Sequence, residues 1–145
     1  MGKLEGIAYK TAKRGNMLTT DETYVSPGSG IKHDYRGLPG KRQVTVMTLE
    51  GFDLACKNLQ KHLPWTIRRA NLLISGIELL ETTGQKLQIG SLILEITGET
   101  EPCYRMDEQF EGLQAALQPD WRGGVTCKVL SAGHIRVGDE VNLLP

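Results

Sequence analysis

No stretch of this chain approaches the roughly 18 consecutive apolar residues that a membrane-spanning helix needs. Its opening residues, Met1-Gly2-Lys3-Leu4-Glu5-Gly6, lack the apolar run of a secretory signal. Neither charge is in excess, since 17 Lys and Arg meet 17 Asp and Glu. Generic binding to nucleic acid, which needs a basic surface, is therefore not expected, and any anion site has to be local. Motif spacings are missing too. No CxxC, HxxxH or HExxH occurs, and His33, His62 and His134 are scattered, which argues against a zinc site. The absence of GxxxxGK[ST] and GxSxG removes the phosphate loop and the acyl-transfer elbow. Gly28 and Gly30 have no glycine at position 33, so the dinucleotide fingerprint fails as well. Three cysteines cannot all pair with one another, and the expectation is a cytoplasmic protein with reduced thiols.

What is present suits one domain over residues 1–145. A chain of this length buries about 68–70% of its unfolded surface and needs no staples. Seventeen glycines point to many turns rather than long helices. Strands are expected over Leu4–Tyr9, Gln43–Met47, Leu72–Ile74, Ser91–Thr97 and Val125–Leu130, where β-branched and apolar residues alternate or cluster. Gly84–Ile96 and Gly133–Leu144 both read as strand, tight turn, strand. Two helices are expected. Leu49, Phe52, Cys56, Leu59 and Leu63 form one apolar stripe that Pro64 ends, and Met106, Phe110, Leu113 and Leu117 form another. Gly112 costs the second about 1 kcal/mol relative to Ala, so it is expected to be short or broken. Many short strands with turn signals favour a barrel or sandwich over a βαβ sheet.

Three places carry potential chemistry. Cys56 and Cys127 fall in step with apolar neighbours and read as core. Cys103 does not. It follows Pro102, which stiffens the chain, and precedes a helix start and Arg105, both of which favour a thiolate. The second place is the glycine-rich stretch Ser26–Arg42, loaded with Lys32, Arg36, Lys41 and Arg42. Its N–H groups and guanidinium forks suit an anion, though such a stretch also reads as a solvated loop. The third is Arg68-Arg69-Ala70-Asn71 at a strand entrance, where a basic pair suits phosphate or a polar ring, or simply lies exposed.

Taken in order, these segments resemble the MOSC domain, the C-terminal domain of molybdenum cofactor sulfurases, in a stand-alone form. Gly30-Ile31-Lys32-His33-Asp34 and Gly37–Val44 are similar to the family's G-[LI]-x-G-D and G-x-x-x-R-Q-V. Arg69–Leu79 resembles its R-x-N-[LIV] segment, Leu87–Gly90 its L-x-[IV]-G, and Pro102-Cys103-Tyr104-Arg105 its P-C-x-R. Arg122-Gly123-Gly124-Val125 and Gly138-Asp139-Glu140-Val141 match the closing pieces. The likeness runs from about Lys3 to the C-terminus. His33 stands where the family has glycine, a change expected to alter the loop's backbone.

The resemblance implies a mainly β fold, a barrel of the pyruvate-kinase-barrel kind with two or three short helices. It implies binding of the molybdenum cofactor, with Cys103 as molybdenum ligand or as persulfide carrier. Arg69 and Asn71 would contact the cofactor, joined by Asp34, Arg36, Lys41, Arg42 and Arg105. A reductase for N-hydroxylated substrates would need a separate electron donor, and a sulfur carrier a cysteine desulfurase. A non-enzymatic module that binds or delivers the cofactor, or another phosphate ligand, is the remaining reading. No nucleic acid or membrane partner is expected.

Overall fold

The computed structural model describes residues 1–145. Seven strands close a barrel: β1 (Gly2–Tyr9), β5 (Val44–Thr48), β6 (Leu72–Ser75), β7 (Lys86–Ile89), β8 (Leu92–Glu99), β9 (Val125–Ser131) and β11 (Glu140–Leu144). Their order round the wall is β11-β7-β8-β9-β5-β6-β1, and β1 returns to β11 with Gly2 opposite Val141. Only β5 and β6 run parallel. The expected mainly β barrel is therefore the observed fold. Closure leaves the barrel wall without free edges. The short β2 (Leu18–Thr20) extends the wall beyond β1. A separate sheet joins β3 (Glu22–Ser26), β4 (Gly30–Ile31) and β10 (Gly133–Arg136).

Period-two patterning sends one face of each strand inward. In β8, Leu92, Leu94 and Ile96 are buried while Ile93, Glu95 and Thr97 are partly exposed; in β9, Val125, Cys127 and Val129 point to the same core. Strands β5 and β6 are buried on both faces. Val46, Leu72 and Ile74 fill the barrel, whereas Met47 and Leu73 meet the helices outside it.

Helix α1 (Leu49–Leu59) starts where the Thr48 hydroxyl accepts the Gly51 N–H at 3.0 Å. It ends four residues before the expected Leu63. Gln60 turns left-handed at φ 54°, and the Lys61 N–H caps the Cys56 carbonyl at 3.1 Å. Leu63 still packs on the helical core from the loop, which is why it kept the stripe's spacing. The second helix is broken as expected: α2 (Arg105–Gln109) and α3 (Leu113–Leu117) flank Gly112 at φ 89°.

Gly133–Leu144 is strand, tight turn and strand as expected: β10 and β11 flank a turn closed by the Asp139 N–H on the Arg136 carbonyl, and they join different sheets, β10 pairing with β3 and β11 with β7 and β1. In the glycine-rich loop, His33, which stands where the resemblance has glycine, takes φ 70°, in the left-handed region that glycine adopts most readily. Buried Gln43 ties this loop to the barrel. Its Nε2 donates to the Pro27 and Gly37 carbonyls at 2.8 and 3.0 Å, and its Oε1 accepts the Val129 N–H at 2.9 Å.

Candidate functional site

Because β5 and β6 are parallel while β1 is antiparallel to β6, the entrances of β5 and β6 lie beside the exit of β1. The segment after β8 reaches the same rim, where Arg68 Nη2 donates to the Thr100 carbonyl at 3.3 Å. These segments enclose a cleft of about 760 Å³. It draws together residues spread over a hundred positions: Lys10, Lys13 and Arg14 after β1; Asp34, Arg36 and Arg42 before β5; Arg68, Arg69 and Asn71 before β6; Thr100, Glu101, Cys103 and Arg105 after β8.

Eight cationic side chains and three carboxylates line this cleft in a chain of zero net charge. The protein's ion pairs, Lys128–Glu95, His134–Glu22 and Arg136–Glu22, all lie elsewhere. The cleft cations thus face one another without counter-charges in contact. Lys10 registers this field: burial holds its ammonium below the usual lysine range, Arg36, Arg69 and Arg105 depress it further, and only Asp34 opposes.

That shift has a pH signature. The folded chain releases the Lys10 proton at lower pH than the unfolded chain, so below the folded value the crowded charge costs stability. Stability contributed at this site rises as pH climbs from that value towards lysine's ordinary 10.5. An anion reverses the pattern, because it binds the charged form and loses its partner as Lys10 deprotonates. The stabilisation that sulfate, whose charge is constant in this range, gives against thermal unfolding will shrink as pH rises towards lysine's ordinary 10.5. Lys10→Met will flatten that dependence.

Asn71 builds the wall of the cleft. It is buried, its Nδ2 donates to the Ala8 carbonyl at 3.1 Å and to Asp34 Oδ2 at 3.4 Å, and its Oδ1 accepts the Thr45 N–H at 3.0 Å. Asp34 Oδ1 in turn accepts the Lys10 N–H at 3.0 Å. These two side chains stitch β1, β5, β6 and the glycine loop into one rim. Arg69, left-handed at φ 66° after the 3-10 turn Trp65–Arg68, donates from Nη2 to the Gly15 carbonyl and so holds the basic loop 10–17 against the β6 entrance. Seven of the eight site residues expected from the sequence line the cleft. Lys41 does not; its carbonyl accepts the Thr97 hydroxyl beside β9.

Cys103 is exposed at the cleft, two residues before α2, and its carbonyl accepts the Met106 N–H at 2.9 Å. Cys127 is fully buried in the barrel, where burial pushes its thiol far up and out of reach of ionisation. Cys56 is half-buried against the helical core. Arg68 is 8% exposed, its Nε has no partner, and burial lowers its guanidinium to about 10. Gly123 makes room for the Thr100 carbonyl that accepts from Arg68: a Cβ there would come within 2.7 Å of that oxygen.

The sequence reading missed Lys10, Lys13 and Arg14, and it gave Arg68 no role separate from Arg69. Lys10-Thr11-Ala12-Lys13-Arg14-Gly15, a basic turn directly after an apolar strand, was the one available signal.

A small closed β-barrel with a cationic, thiol-bearing cleft at one rim is the class of protein that fold and site define. More narrowly, the chain belongs to the MOSC domain family, whose model matches residues 14–142. Among solved structures, the YuaD protein from Bacillus subtilis superposes with a TM-score of 0.84 at 20% identity, covering 99% of this chain and 96% of that one. YiiM from Geobacillus stearothermophilus gives 0.77 at 15% identity over 100% and 76% of the two chains. YiiM from Escherichia coli gives 0.74 at 13% over 99% and 70%. These likenesses establish the shared fold. No curated protein matches the chain. No helix is long and apolar enough to cross a membrane.

Proposed function

We propose that this chain binds the molybdenum cofactor in the rim cleft, with the cofactor's phosphate among Lys10, Arg36 and Arg69 and Cys103 as the protein's ligand to molybdenum. The observation that carries this reading is the gathering of eight unpaired cations around one open thiol, in a MOSC chain with no net charge. The residues fit the group. Burial, and after it the charges of Arg36, Arg69 and Arg105, hold the Lys10 ammonium down, and an anion would relieve the crowding of charge. No cluster of three His, Cys, Asp or Glu could cage a bare ion, so a metal here would arrive with ligands of its own and take one soft thiolate.

Bound, the cofactor would supply two-electron redox chemistry at molybdenum. The protein's own tasks are binding and orientation. Arg36 and Arg69 offer forked donors to phosphate oxygens. Asn71 and Asp34 hold the rim that carries them. A reductase acting on N-hydroxylated compounds would draw electrons from a separate protein.

Protein purified from molybdate-fed cells tests the reading. Metal and pterin in equal amounts are expected, with the metal lost in Cys103→Ser and retained in Cys56→Ala and Cys127→Ala. A Cys103 persulfide without molybdenum would replace this reading with a sulfur carrier loaded by a cysteine desulfurase. Loss of the cofactor in folded Cys127→Ala would place the working thiol elsewhere.

A further inference from the structure

The cleft's cations fall into two groups. Arg68 is the one that is buried and forms the inner group. Lys10 and Arg69 are half-buried, and Lys13, Arg14, Arg36, Arg42 and Arg105 are exposed towards the cleft mouth, the outer group. Arg68 is more than nine-tenths buried in the cleft wall, yet its only hydrogen bond runs from Nη2 to the Thr100 carbonyl. Its Nε is without a partner, and so is the buried Thr100 hydroxyl beside it. No carboxylate pairs with it.

A buried guanidinium with one neutral acceptor is costly to maintain. Packing does not require it, since an apolar side chain of similar volume would fill the same space. Gly123 lacks the Cβ that would clash at 2.7 Å with the Thr100 carbonyl, the one acceptor Arg68 has. Two unsatisfied polar groups, one of them charged, therefore sit in the same cleft as an exposed thiol.

We propose that Arg68, with Thr100 and Arg42, forms an oxyanion subsite that takes the carboxylate, or a similar planar oxyanion, of a small substrate presented to Cys103. This deepens the function proposed above: the outer cations hold the cofactor's phosphate, and the inner arginine selects the substrate by its negative end. A forked guanidinium matches two carboxylate oxygens, and Arg42, exposed at the cleft, adds attraction from the open side.

Alkylation of the metal-free protein, grown without molybdate, tests this directly. A free thiolate repels iodoacetate and reacts faster with neutral iodoacetamide. In both reactions sulfur displaces iodide, so the ratio of the two rates cancels the ionised fraction of the thiol. Read at the Cys103 peptide by mass spectrometry, the iodoacetate rate will saturate with concentration, while the iodoacetamide rate will stay linear. The iodoacetate-to-iodoacetamide ratio will fall about tenfold in Arg68→Met, the effect of losing one charge-assisted contact. It will fall less in Arg42→Ala, whose exposed position leaves the fold intact. An unchanged ratio in folded Arg68→Met and Arg42→Ala, or a wild-type ratio equal to that of glutathione, overturns the subsite. The outcome is independent of cofactor content: selectivity in a chain that never acquires molybdenum keeps the subsite and removes the cofactor reading, and the converse keeps only the cofactor.

Discussion

Asn71→Asp will cost roughly 3 kcal/mol or more of stability, lowering the unfolding midpoint by about 10 °C for a chain of this size. The change alters one atom. In the wild type, Nδ2 donates to the Ala8 carbonyl and to Asp34 Oδ2, deep in the rim where Asn71 is 7% exposed. Aspartate would set an acceptor against both acceptors and a second carboxylate against Asp34, in surroundings that screen charge poorly. Asn71→Asp/Asp34→Asn restores a donor facing an acceptor and will recover part of the loss, which the double-mutant cycle measures. Tolerance of Asn71→Asp within 1 kcal/mol would show that the stitched rim is not what holds the cleft together. Sulfate binding will weaken with Asn71→Asp as well, because the same stitch places Lys10 and Arg69.

Gly124→Ala will be comparably severe, again about 3 kcal/mol or more, read as a lowered urea midpoint. Gly124 has φ 94°, and a Cβ there would lie 2.1 Å from the Val46 carbonyl oxygen and 3.1 Å from Met47 Cα. Those are backbone atoms of β5, which cannot rotate aside. The Gly124 carbonyl also accepts the Thr100 N–H at 2.8 Å, so a displaced backbone here reaches the residue beside Arg68. Gly138→Ala is the contrast. Its φ of 100° carries the same conformational strain, but nothing lies within 4 Å of the added carbon, so its loss will be confined to about 1–2 kcal/mol. Equal losses at the two positions would mean that the contact with β5 is relieved at no cost.

The barrel was legible where the pattern was local. Leu92, Leu94 and Ile96 alternate with half-exposed neighbours, and Val125, Cys127 and Val129 alternate with Thr126, Lys128 and Leu130, so both strands announce themselves. The closure of β1 on β11 and the pairing of β3 with β10 were not legible. They join segments more than a hundred residues apart, and short polar strands such as Glu22–Ser26 carry no apolar alternation to betray a partner. Gly133–Leu144 divides the same way: its strand, turn and strand were legible because the turn chemistry is local, and the different partners of the two strands were not. At the site, Cys103 stood out because no apolar period claims it, and Arg69 and Asn71 through the family likeness. Lys10, Lys13 and Arg14 were silent because three basic residues after a strand look like any solvated loop. Only the antiparallel return of β1 beside β6 turns them towards Arg36 and Arg69. Arg68 was hidden differently, since nothing in an Arg-Arg pair says which guanidinium is buried.

The central proposal is that Cys103 meets molybdenum in a cleft that suits an anionic pterin. Metal and pterin content of the wild type and of Cys103→Ser, purified side by side from molybdate-fed cells, measures that most directly. The prediction is one molybdenum and one pterin per wild-type chain and no molybdenum in a folded Cys103→Ser. Molybdenum held equally by both proteins, or neither metal nor pterin in the wild type, would contradict it.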